Sequence, residues 1–110
     1  MDPAPYHTRL TQELETLTKD SVAAKESRAP VELDQQSVGR LSRMDALLVQ
    51  AMAQETERRR QVRIDVVRAA LKRIKDDEFG ECLTCGNDIE AKRLKLDPAC
   101  PTCIDCARSR

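Results

Sequence analysis

All five cysteines of the chain fall between Cys82 and Cys106, in the stretch CLTCGNDIEAKRLKLDPACPTCIDC. Cys82 and Cys85 are spaced C-x2-C, and Cys103 and Cys106 repeat that spacing after seventeen intervening residues. Two residues between thiolates let a tight turn aim both sulfurs at one tetrahedral ion. A spacer of roughly 15 to 20 residues is long enough to return a second turn to the same ion. The pattern therefore predicts a zinc ribbon. Cys100 also stands C-x2-C before Cys103, but that choice shortens the spacer to fourteen residues and puts Pro101 inside the second turn. The predicted ligands are Cys82, Cys85, Cys103 and Cys106, holding one structural Zn²⁺, with Cys100 as a fifth thiol that could serve as a redox sensor. Four protein ligands close the site, so no catalytic water is expected on the metal. Gly86 follows the first pair, where a positive φ would suit a turn that directs amides at sulfur. Lys92, Arg93, Lys95 and Arg108 are near enough in sequence to screen the negative thiolate cluster.

The remainder of the chain must position this module with little apolar material. Aromatic residues are 2% of the 110, charged residues 35%, and Tyr6 and Phe79 are the only rings. A large core is excluded, and stability must come from helices packed along narrow seams together with the metal. Lys plus Arg and Asp plus Glu both number 19, so no overall electrostatic drive toward nucleic acid exists. The N-terminus lacks an apolar signal-like segment, and no run of about 18 apolar residues occurs. A cytoplasmic protein without membrane contact is expected, and in a reducing cytosol paired thiols favour metal over disulfides.

The predicted fold is mainly α: a long antiparallel helical hairpin, or coiled coil, over 1–78, and a small C4 zinc finger over 79–110. Residues 1 to about 8, with two prolines, read as an irregular lead-in. Leu10, Leu14, Leu17, Val22 and Ala24 mark an amphipathic helix over about 8–27. Pro30 and Gly39 interrupt the period, giving a connector and tip over about 28–43 that contains Asp34. A second helix over about 42–78 takes Ser42 as its N-cap and a stripe of Leu41, Met44, Leu48, Met52, Val62, Val66, Ala69, Ala70 and Ile74. Such a helix is roughly 50 to 55 Å long and needs a partner along its length. Gly80 is expected to end it as the C′ residue, with Phe79 packing the finger against the helices. The run Arg58-Arg59-Arg60-Gln61-Val62-Arg63 reads as a solvated face that Glu55, Glu57 and Asp65 can neutralise.

The last third of the chain resembles the DksA/TraR zinc-finger regulators of bacterial RNA polymerase. The likeness rests on Phe79-Gly80, Cys82-x2-Cys85-Gly86, Ile89, Arg93-Leu94, Pro98 and Cys103-Ile104-x-Cys106. It implies a monomeric, non-enzymatic regulator of transcription initiation whose hairpin enters the polymerase secondary channel, with acidic residues at the tip and no sequence-specific DNA readout. The family's D-x-x-D-x-A tip is absent; Asp45 and Ala46, with Asp34 in the connector, are the nearest equivalents. Where alarmone-binding members carry Arg before the finger's Pro and Lys after its last Cys, this chain has Asp97 and Ala107, which implies little dependence on ppGpp. Two other readings use the same residues differently. A zinc ribbon binding nucleic acid directly would rely on Arg58 to Arg63 and the cations after Gly86, against neutral charge and missing stacking aromatics. A thiol/zinc redox sensor would rely on Cys100.

Overall fold

The computed structural model describes residues 2–28 and 40–109. In chain order these form α1 (Ala4–Ala23), a 3₁₀ turn (Glu26–Arg28), α2 (Arg40–Lys75), α3 (Ala91–Leu96) and α4 (Ile104–Arg108). Among the described residues no strand forms; one isolated antiparallel bridge joins Glu81 to Asp88. The fold is the expected one, a helical hairpin followed by a small cysteine-rich module.

α1 begins four residues before the predicted start. Pro5 sits in the first turn, where a missing N–H costs no hydrogen bond and a fixed φ favours the helix. The Ala4 N–H donates to Asp2 Oδ1 at 3.0 Å, so a side chain satisfies one of the orphan amides. Tyr6 then packs on Phe79 with ring centroids 5.3 Å apart, which ties this turn to the finger. The two prolines start a helix; they do not precede one.

α2 also departs from expectation at both ends. Ser42 lies within the helix, which already includes Arg40, so it is not the N-cap. At the other end Glu78 N–H donates to Arg73 O at 2.8 Å and Asp77 N–H to Ile74 O at 3.3 Å, with Asp77 at φ 59°. This is a Schellman motif with Asp77 as C′, a left-handed role that Asp tolerates. Gly80, at φ 91°, belongs to the entry of the finger, where its carbonyl accepts the Ile89 N–H at 2.7 Å.

The two helices run antiparallel in a register set by Leu10 against Val67 and Ala70, Glu13 against Arg63, and Ser21 against Glu57. The core is small: Leu10, Val67, Ala70 and Ala99, flanked by Leu14, Leu17, Val66, Leu71 and Ile74. The buried arc of α2 passes through Ile64, Val67 and Ala70, because α1 and the finger cover this stretch from two sides. Val62 and Ala69, placed on the stripe by periodicity, are exposed, as are Met44, Leu48 and Met52 nearer the start of α2. α1 spans about 30 Å and α2 about 54 Å at 1.5 Å per residue. Residues 40–54 of α2 therefore extend past the end of α1, on the side remote from the finger.

Arg63 joins α1, α2 and the finger. Its Nη2 donates to Glu13 Oε1 at 3.0 Å and to Asp97 Oδ1 at 2.9 Å, and its Nη1 reaches Asp97 Oδ2 at 3.2 Å. Arg9 adds a bond to the Lys95 carbonyl at 2.9 Å, satisfying an orphan group in the last turn of α3. The hydrogen bonds from Arg63 hold the Asp97 carboxyl below its ordinary value. A depressed folded-state pKa contributes stability that is complete above the unfolded value, about 3.9, and is lost as pH falls from there through the lower folded value. The groups are about one-third exposed, so screening limits the contribution to about 1 kcal/mol. Arg63→Gln is accordingly expected to lower stability by about 1 kcal/mol at neutral pH. The difference should hold from about pH 7 to 5, shrink toward pH 4, and shrink in concentrated salt. Urea unfolding of the zinc-loaded proteins checks all three.

Candidate metal centre

Each half of the centre is a tight turn. In the first, Gly86 N–H donates back to Cys82 O at 2.9 Å and Cys82 N–H to Asn87 O at 2.8 Å, with Gly86 at φ 77°. A side chain at that φ would be strained, so glycine lets the turn close. In the second, Cys103 is the N-cap of α4, Cys106 stands one turn further in, and Ala107 N–H donates to Cys103 O at 3.0 Å. Leu83 N–H donates to Pro101 O at 2.9 Å, which fixes the two turns against each other. Beneath them Cys82, Ile89, Leu94 and Cys103 form a buried cluster that Tyr6, Phe79 and Cys106 complete.

The Sγ atoms of Cys82, Cys85, Cys103 and Cys106 all lie within 4.8 Å of one another, and Cys85 and Cys103 are 3.8 Å apart. Tetrahedral zinc with Zn–S bonds of about 2.3 Å requires sulfurs about 3.8 Å apart. The donor set thus fits one Zn²⁺ with all four positions filled by protein, a structural ion. Backbone amides, that of Cys85 foremost, lower the Cys82 thiol to about 6. The neighbouring thiols, Cys103 foremost, push Cys106 up to about 12. Four thiols this close resist becoming four anions without a dication among them, so metal binding must displace protons.

Cys100 lies outside this group. It is buried, donates to the Thr102 carbonyl at 3.2 Å and accepts from Arg93 Nη2 at 3.1 Å. Arg93, predicted to screen the ligand thiolates, is instead engaged at this fifth thiol and at Thr102 O, 3.3 Å away.

The other sequence-derived residues are far from the metal. Asp45 is exposed and Ala46 half-buried in the second turn of α2. From Asp45 to Lys75, where α2 meets the finger, is about 45 Å of helix. Asp34, with most of the predicted connector, lies outside the described residues. The basic run is neutralised within the chain. Arg58 and Arg59 pair with Glu55, Arg60 with Glu57, and Arg63 with Glu13 and Asp97. The role of Glu13 was not visible in sequence, because the pairing requires the register of the hairpin. The Glu57–Arg60 pair was legible from its i,i+3 spacing.

Residues 77–110 match the family described as the prokaryotic dksA/traR C4-type zinc finger. The RNA polymerase-binding transcription factor DksA of Escherichia coli (strain K12) is 40% identical over 43 residues, 39% of this chain. The protein of that name from Haemophilus influenzae is 42% identical over 40 residues, 36% of this chain. Both matches span only 28% of the relative's own length. The structure of transcription factor DksA2 from Pseudomonas aeruginosa superposes with a TM-score of 0.78, covering 99% of this chain and 84% of that one. At 19% identity that likeness speaks for the fold alone.

Cys106→Ser should lose the metal and with it the packing of Ile89 and Leu94, whereas Cys100→Ser should still bind zinc one to one. Metal analysis and amide exchange across residues 80–106 check both. Removing zinc with a chelator should unfold the finger outright, since structural zinc is worth about 10–16 kcal/mol in small domains.

Proposed function

The chain is a DksA-like family member, and from that premise we propose that it binds bacterial RNA polymerase and regulates transcription initiation by inserting the far end of its hairpin into the secondary channel. The observation that carries this reading is the separation of parts along one rod. A closed metal centre and most of the packing sit at one end of α2. An exposed carboxylate, Asp45, stands about 45 Å away on a stretch of α2 that outreaches α1. In this reading the stretch of α2 that outreaches α1 enters the channel while the finger remains outside. The elongated shape, 63 × 30 × 19 Å, supports this reading.

Asp45 and Ala46 are the polymerase-facing residues in this proposal, with Asp34 as a second carboxylate. The protein acts as a cytoplasmic monomer, without catalysis and without reading DNA sequence. Among the described residues no helix is long and apolar enough to cross a membrane. Dependence on ppGpp is small in this reading. Asp97 turns a carboxylate toward Arg63 where an anionic ligand would need a free cation, and that cation is already paired on two sides. The same pairing weighs against direct nucleic-acid binding through Arg58 to Arg63.

In a purified transcription system, Asp45→Asn should weaken the effect on a responsive promoter by about tenfold, the size of one lost charge-assisted hydrogen bond. Zinc content and helicity should stay unchanged. An unaltered effect in that variant would remove Asp45 from the tip.

A further inference from the structure

At the end of α1 the hairpin is held by a charged hub. Its centre is Glu57 on α2, whose side chain is only 13% exposed. Glu57 Oε1 accepts from the Ser21 hydroxyl at 2.7 Å and from Gln61 Nε2 at 2.8 Å. Its Oε2 accepts from Arg60 Nη1 at 2.7 Å and lies 3.0 Å from Arg28 Nη1. Four donors saturate the lone pairs of one carboxylate. Arg28 also donates to the Ser21 carbonyl at 2.7 Å, so the 3₁₀ turn folds back and caps the end of α1.

Apolar packing is thin at this level. The core and its flanking residues reach along α1 only to Leu17, and Val22, one turn further, is 70% exposed. Among the described residues, what holds the end of α1 and the turn Glu26–Arg28 against α2 is therefore polar and centred on Glu57. Every donor but Gln61 and Arg60 comes from across the hairpin, which distinguishes Glu57 from nearby Glu55. The latter pairs with Arg58 and Arg59 on its own helix. The hub persists in acid as well. The Gln61 amide first, then the Ser21 hydroxyl and the arginines, hold the Glu57 carboxyl down to about 2.

We infer that Glu57 is a positioning residue for the polymerase-facing end: by clamping Ser21 and Arg28 it fixes the end of α1 and the turn Glu26–Arg28 against α2, about 18 Å along that helix from Asp45. The inference deepens the proposed function and rests on it. Glu57→Gln is the informative substitution, because it keeps the shape of the side chain while setting an amide N–H₂ against donors that needed an acceptor.

The test uses the zinc-loaded full chain with two readouts. In Glu57→Gln the amides of Ala24 and Lys25, bonded to Asp20 O and Val22 O, should exchange about tenfold faster, with Val67 and Leu94 as in wild type. In titrations against RNA polymerase the midpoint of the promoter effect should stay within about twofold, while its amplitude falls about fivefold, since the tip is misdirected and the chain still docks. Arg28→Gln should behave alike, and the double variant should be no worse than either single one, as for partners in one interaction. Glu55→Gln should match wild type in both readouts. Unchanged exchange at Ala24 and Lys25 would overturn the inference, as would faster exchange with full amplitude. If the wild-type protein has no promoter effect, the proposed function fails, and the exchange measurement still decides whether Glu57 holds the end of α1.

Discussion

One guanidinium joins α1, α2 and the finger. Arg63 projects from α2, pairs with Glu13 of α1 and grips Asp97 beside the finger in a two-pronged contact. The need for such a contact follows from composition. A core of one leucine, one valine and two alanines cannot by area alone fix three pieces against one another. Full burial of a Leu or Val is worth only about 1.5–3 kcal/mol, against about 1–2 kcal/mol per residue for ordering the backbone. The finger folds around zinc, whose contribution is far larger. Its orientation on the rod then depends on smaller polar forces, of which Arg63 supplies the centre and Arg9 a second point.

The arrangement separates three tasks along α2. Near its end the metal clip and the Tyr6–Phe79 contact hold the finger to the base of the hairpin. In the middle, Arg63 and the hub on Glu57 set how α1 lies and where it ends. Beyond the end of α1, among the described residues, α2 carries exposed Met44, Leu48 and Met52 and an exposed Asp45. The basic run between Glu55 and Arg63 divides accordingly: Arg58, Arg59 and Arg60 pair with carboxylates of α2 itself, while Arg63 reaches across to α1 and the finger.

Much of this was legible in the sequence, for physical reasons that differ by element. The four ligands could be read because thiolate spacing is a local property of tight turns, and the same holds for Gly86. The hairpin could be read because an uninterrupted helix of α2's length demands a partner. What escaped were features that depend on register. Asp97 appeared in sequence as a charge of the wrong sign for an anionic ligand; in three dimensions it is the acceptor for Arg63. Ile64 and Val67 were missed because burial by two neighbours turns the covered arc away from the stripe that periodicity suggests. The start of α1 was misplaced because Pro3 is its N-cap and Pro5 lies in its first turn, with Asp2 Oδ1 accepting the Ala4 N–H, a role that two prolines near a terminus conceal. Asp77 took the left-handed position that Gly80 was expected to fill.

In the proposed function the far end of the hairpin, and not the finger, acts inside RNA polymerase. The most direct measurement is binding of the zinc-loaded chain to the polymerase in competition with a second factor known to occupy the secondary channel. The account predicts mutual exclusion, with bound chain falling as the competitor is raised. Simultaneous binding of both would contradict it, because a rod whose tip lies in that channel leaves no room for another.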